Sequence, residues 1–176
     1  LGTSHIDFAY YTSAKASQVV GVRFAKVTVP FFATIVKAYV QFTASSATTL
    51  PVNLRIEGQA ADRAAKFTGV ARNASSRSRT TAFAPWAPLA WKTSMSGPDQ
   101  RTPDLTAIVQ EIVDRPGWAN GNALAFLVTG TGTGTRVAKS FESSGKAAAL
   151  LHVEFTPGGG GTTSTTSTSS TSTTST

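Results

Sequence analysis

The sequence predicts a mainly β protein, an antiparallel β-sandwich of jelly-roll or Ig-like type with one short α-helix around residues 103–114. Three observations carry that expectation. Apolar and polar residues alternate with period two in a series of short stretches, and Ser, Thr, Gly and Pro turns separate those stretches. Only one segment exchanges that period for a helical one.

The stretches follow in order. In HIDFAYY, Ile6, Phe8 and Tyr10 alternate with His5, Asp7 and Ala9. VVGVRF repeats the pattern through Val20, Val22 and Phe24, and AKVTVP adds Val27 and Val29 before Pro30, which lacks the donor a ladder needs. IVKAYVQF places Val36, Ala38, Val40 and Phe42 on one face, and PVNLRIEG does the same with Val52, Leu54 and Ile56. NALAFLVTG, RVAKSFES and AALLHVEF follow, the last with Leu151, Val153 and Phe155 inward and His152 and Glu154 outward. GTGTGT at 130–135 reads as a hairpin loop. In RTPDLTAIVQEIVDRPGW, Thr102 is a good N-cap, Pro103 suits the first helical position, and Asp104 favours the positive helix end. Leu105, Ile108, Val109 and Ile112 then form one apolar stripe, Pro116 and Gly117 end the helix, and Trp118 tucks against it.

Composition sets the frame. The 176 residues make one domain, and 40% hydrophobic content with 10 Phe, 3 Trp and 3 Tyr is enough for a core. The chain divides into an N-terminal strand and polar linker (1–16), a β-sandwich module (17–156) and a Gly-rich, then Ser/Thr-rich tail (157–176). There is no cysteine, which excludes disulfides, thiolate metal sites and cysteine nucleophiles. No apolar run approaches the ~18 residues of a membrane span, so no such span is expected. Leu1 in place of Met, with only 14% charged residues, suggests an extracellular or cell-surface protein whose signal segment has been removed. The net charge of +7 is dispersed. Its one local group, Arg72, Arg77 and Arg79 in RNASSRSRT, lacks interleaved aromatics and reads as a solvated loop, so no nucleic-acid partner is expected and acidic polysaccharide suits the charge better.

No constellation for catalysis is visible. His5 and His152 are the only histidines, both on outward strand positions, and the nine acidic residues are scattered. No zinc spacing or calcium loop is present, although one structural calcium held by loop carbonyls and an Asp or two would leave no mark on the sequence. The expectation is a non-enzyme without a cofactor. Trp86 and Trp91, in AFAPWAPLAW, have two readings: exposed faces that stack on sugar rings beside Arg72, Arg77 and Arg79, or covers for one end of the core.

DQRTPDLTAIVQEIVDRPGWANGNALAFLVTG, together with VVGVRFAKVTVP, SSRSRTTAFAPW, RVAKSFES and AALLHVEF, resembles a bacterial-type extracellular surface module of the DNRLRE-like group of β-sandwiches. The resemblance covers roughly residues 17–156. It implies a β-sandwich in a large surface protein, some relatives of which bind polysaccharide.

The ends point to assembly. Residues 162–176 are 15 consecutive hydroxyl residues, nine Thr and six Ser. With no apolar surface, such a tail cannot offset roughly 1–2 kcal/mol of backbone entropy per ordered residue. The expectation is that a partner subunit, attached sugars, or both hold it. Thr162, Thr163, Ser164, Thr165, Thr166, Ser167 and Thr168 are candidate O-glycan sites, and Asn73 heads an Asn-Ala-Ser acceptor. At the other end, HIDFAYY is either the domain's own first strand or a strand donated to a neighbour through Ile6, Phe8 and Tyr10. The functional expectation is a structural subunit of a secreted, glycosylated filament, a homopolymer joined head to tail through its terminal segments. The alternative is a non-catalytic carbohydrate-binding or adhesin module of a larger surface protein.

Overall fold

A computed structural model describes residues 5–11, 16–131, 134–158 and 162–175. Its strands are β1 (His5–Tyr11), β2 (Ala16–Ser17), β3 (Val20–Phe24), β4 (Thr34–Gln41), β5 (Asn53–Gln59), β6 (Arg79–Trp86), β7 (Leu124–Thr131), β8 (Thr135–Lys139), β9 (Leu150–Thr156) and β10 (Ser164–Ser175), with α1 (Thr106–Val113) between β6 and β7. Every strand pairing is antiparallel. One ladder runs β2-β1-β8, the other β4-β9-β10-β3-β7-β5-β6. The mainly β, sandwich-like fold with one helix is therefore as the alternation predicts.

The inward rows of these strands meet in one core. Phe8 is fully buried, with ring centroids 5.0 Å from Phe42, 6.0 Å from Trp86 and 6.5 Å from Trp91, all edge-on. β3 and β7 are covered on both faces, because a loop folds Ala64, Phe67 and Ala74 over their outer side. Gly21 permits this: a Cβ there would lie 2.2 Å from the Phe67 ring.

The helix closes the larger ladder. β4 and β6 are its two ends, yet both pack on α1 with β5, so the sheet curls until its edges flank the helix. Ile108, Val109, Ile112 and Val113 are buried there, and a Cβ at Gly58 on β5 would lie 2.7 Å from Ile112. The helix also supplies the hydrogen bonds the edges lack. Gln110 Oε1 accepts from Ile35 N–H (2.8 Å) on β4, and the Glu111 carboxylate accepts from Thr81 and Ala82 N–H (both 2.8 Å) on β6.

Several local expectations are corrected. The helix starts at Thr106, not near residue 103, because Thr102 is taken by β4: its N–H donates to Val40 O and its Oγ1 accepts from Val40 N–H. Asp104 Oδ1 instead accepts from Thr106 N–H at 3.0 Å. Val36 is 53% exposed, because a bulge between Ile35 and Lys37 turns Ile35 inward in its place. AKVTVP forms no strand, although Val27 and Val29 are buried, and Trp118 Nε1–H is held by Val29 O at 3.0 Å. RTTAFAPW, which alternation does not mark as a strand, is β6, an end strand that tolerates Pro85. GTGTGT does not form a hairpin, since β7 pairs with β3 and β5 while β8 pairs with β1; residues 132 and 133 lie outside the described part.

Candidate assembly seam

The Ser/Thr tail is part of the sheet. Ser164–Ser169 pair residue by residue with Phe155–Leu150 of β9, and 170–175 pair with Phe24–Val20 of β3. One strand thus stitches the β4–β9 arm to the β3–β7–β5–β6 arm. The expected need for a partner or sugars to order the tail is corrected for this chain: its own body does so, through main-chain pairing. Thr is well suited to a strand, and the ladder satisfies backbone donors and acceptors without any apolar anchor.

Register sorts the hydroxyls into two rows. Ser164, Thr166 and Thr168 stand opposite the buried Phe155, Val153 and Leu151 and are half-buried. Thr166 Oγ1 lies 2.6 Å from Thr28 Oγ1. Thr165 and Ser167 stand opposite Glu154 and His152 and are exposed, as are Thr162 and Thr163. Of the candidate O-glycan positions, the exposed four face solvent and the other three face the body.

Beside the exposed row lies a polar and aromatic face. His152 Nε2 is 2.9 Å from Glu154 Oε1, and that hydrogen bond, helped by Lys37 at 3.9 Å, holds the Glu154 carboxyl below its usual range. The Tyr39 ring stacks on His152 at 4.6 Å, and the Arg101 guanidinium sits 4.3 Å from the Tyr39 centroid. Lys37, Tyr39, Arg101, Thr102 and Asp104 line a groove of about 330 Å³. An aromatic ring with two cations beside it suits a sugar face or a carboxylate. Sequence reasoning missed this group, because Tyr39, Arg101 and His152 come from three distant segments and each reads singly as an outward polar residue.

The other sequence-chosen residues do not converge. Trp86 and Trp91 are 7% and 1% exposed, packed among Phe8 and Phe42, so the sugar-stacking reading is corrected in favour of core covers. Arg77 lies flat on Phe67 (3.9 Å) and donates to Gln59 Oε1, Ala65 O, Lys66 O and Asn73, pinning the loop over β3. Arg79 pairs with Glu57, while Arg72 sits exposed in a turn at φ 62°. Asn73 Oδ1 accepts from Thr68 N–H and Arg77, so this acceptor side chain is turned into its own loop.

At the N-terminal end, β1 pairs with β8 of the same chain, and Ile6 and Phe8 are buried in its core. Ala9, at φ 72°, is buried next to Phe8 and breaks the alternation, and the Tyr10 side chain lies outside the described part. His5 Nε2 is 3.3 Å from Asp7 Oδ2, whose pKa burial raises against the pull of His5. Among the described residues no group of three or more His, Asp or Glu could hold a metal ion, and no helix is long and apolar enough to cross a membrane. Compared with protein-family models, characterised proteins and solved structures, the chain shows no significant match.

Proposed function

We propose that this chain is a structural, non-catalytic subunit of a secreted, glycosylated filament or surface fibre, a homopolymer joined head to tail through its terminal segments. The observation that carries this reading is β10, a strand of hydroxyl residues seated between β3 and β9. Its exposed Thr165 and Ser167, with Thr162 and Thr163 just before it, are where O-linked sugars would project. The sheet ends at β4, β6 and β8 support the reading too, since they are closed to simple edge-to-edge stacking. Thr102 and Leu105 donate to the free side of β4, Glu111 accepts along β6, and residues 43–45 bond along the outer side of β8. Electron microscopy of native material with intact-mass analysis tests the proposal. Regular fibres with a mass per chain above 18.3 kDa are expected, and single particles at the bare mass would overturn it.

The groove beside Tyr39 favours a second reading, a module that binds acidic carbohydrate. Under that reading Tyr39→Ala and Arg101→Ala each weaken retention on an acidic polysaccharide column at least tenfold while leaving stability nearly unchanged. Unchanged retention in both removes it.

A further inference from the structure

We propose that residues 164–175 of one copy seat between β3 and β9 of a second copy, so that the Ser/Thr strand is the exchanged joint of the assembly. The inference rests on the filament reading and names its contact.

Four features support it. First, β10 is held by main-chain ladders, and the one side-chain bond described for it is Thr28 to Thr166. An unseated β10 therefore presents only hydroxyl residues to water, with no apolar surface to hide. This differs from β1, whose departure would uncover Phe8, buried completely at the centre of the core.

Second, the edges that β10 covers cannot pair with one another as they pair with it. β3 and β9 each run antiparallel to β10 and hence parallel to one another, so the antiparallel ladders they make with β10 cannot be remade between them. β9 pairs with the first half of the strand (Ser164–Ser169) and β3 with the second (Ser170–Ser175), so the edge N–H and C=O groups of both call for a strand there, and an identical segment from another copy offers the same bonds in the same register. Third, with the ends at β4, β6 and β8 capped as described, this slot offers a second copy's main chain a way into the larger sheet.

Fourth, the connection has the reach. Seven residues, 157–163, link Thr156 to Ser164. Fully extended they span about 25 Å, several times the ~4.8 Å between neighbouring strands. Each copy donates one strand and offers one slot, a heterologous contact that propagates unless its rotation closes a ring.

The absence of cysteine makes the test clean. Thr28 and Thr166 bring their Oγ1 atoms to 2.6 Å, close enough for a disulfide between cysteines placed there. Thr28→Cys and Thr166→Cys single variants are mixed in denaturant, refolded together, oxidised and run without reductant. A covalent dimer near twice 18.3 kDa is expected from the mixture and from neither variant alone, with a ladder of multiples from the double variant. A double variant that cross-links only within single chains overturns the proposal, and so does the lack of any cross-link. Fibres by microscopy with cross-links only within chains would leave the filament reading standing and remove the exchange. Cross-linked dimers without fibres would do the reverse.

Discussion

Replacing Arg136 with Met is expected to cost about 3–5 kcal/mol of stability, enough to lower Tm by roughly 10 °C or more in a domain of this size. Arg136 is 1% exposed, and its guanidinium donates to four carbonyls: Leu89 O and Leu50 O at 2.8 Å, Thr135 O at 2.7 Å and Pro88 O at 2.8 Å. Three of these carbonyls, those of Leu50, Pro88 and Leu89, belong to segments around Pro51 and Pro88 that lie outside the strands, so there the arginine takes the place of a ladder. Burial pulls its pKa below the usual arginine value. The group is nonetheless so basic that it stays charged at neutral pH. The buried cation is then solvated in large part by these carbonyls, which take four of its five N–H donors. Met fills much of the volume and satisfies none of them. Arg136→Lys keeps the charge but not the planar fork, and is expected to recover less than half of the loss. Urea unfolding followed by tryptophan fluorescence measures both variants. A Met variant within 1 kcal/mol of the parent would mean that water serves these carbonyls equally well.

Alternation made most of the strands legible, because a half-buried strand writes its two faces directly into period-two hydropathy. β9 is the plainest case: Leu151, Val153 and Phe155 are buried, and His152 and Glu154 lie on the other side. What alternation cannot register is a change of phase. The bulge at Ile35–Lys37 and the positive φ at Ala9 each shift a face by one residue, so strict period two puts Val36 inside and Ala9 outside, the reverse of the structure. Competition for a capping residue moved the helix start, since Thr102 meets Val40, a partner 62 residues away.

The seam was illegible for a different reason. Counting side chains correctly finds nothing in the tail that drives burial, but the bonds that order it belong to the exposed edges of β3 and β9. Which strands leave an unpaired edge for each half of the tail is a property of topology, and period-two patterns do not encode it. The groove at Tyr39 is hidden in the same way, as it exists only once β4 pairs with β9 in a register that sets Tyr39 opposite His152.

Trp91→Ala is expected to lose about 3–5 kcal/mol, the usual cost of emptying a large aromatic site in a core that only partly collapses. Trp91 is 1% exposed, its Nε1–H donates to Asp99 O at 2.9 Å, and its main chain bonds both ways with Thr48. The ring therefore ties the 87–91 segment to the aromatic centre around Phe8 and Trp86 while its polar edge fixes the 98–100 turn. Trp91→Phe keeps most of the packing and loses the hydrogen bond, so about 1–2 kcal/mol is expected. This difference decides how any binding experiment on the tryptophans is to be read. Lost polysaccharide retention in Trp91→Ala would report a damaged fold unless the variant unfolds at the parent's urea midpoint. A Trp91→Ala variant as stable as the parent would instead show that the ring is not a core anchor, and the tryptophan loop would again become the place to look for a sugar.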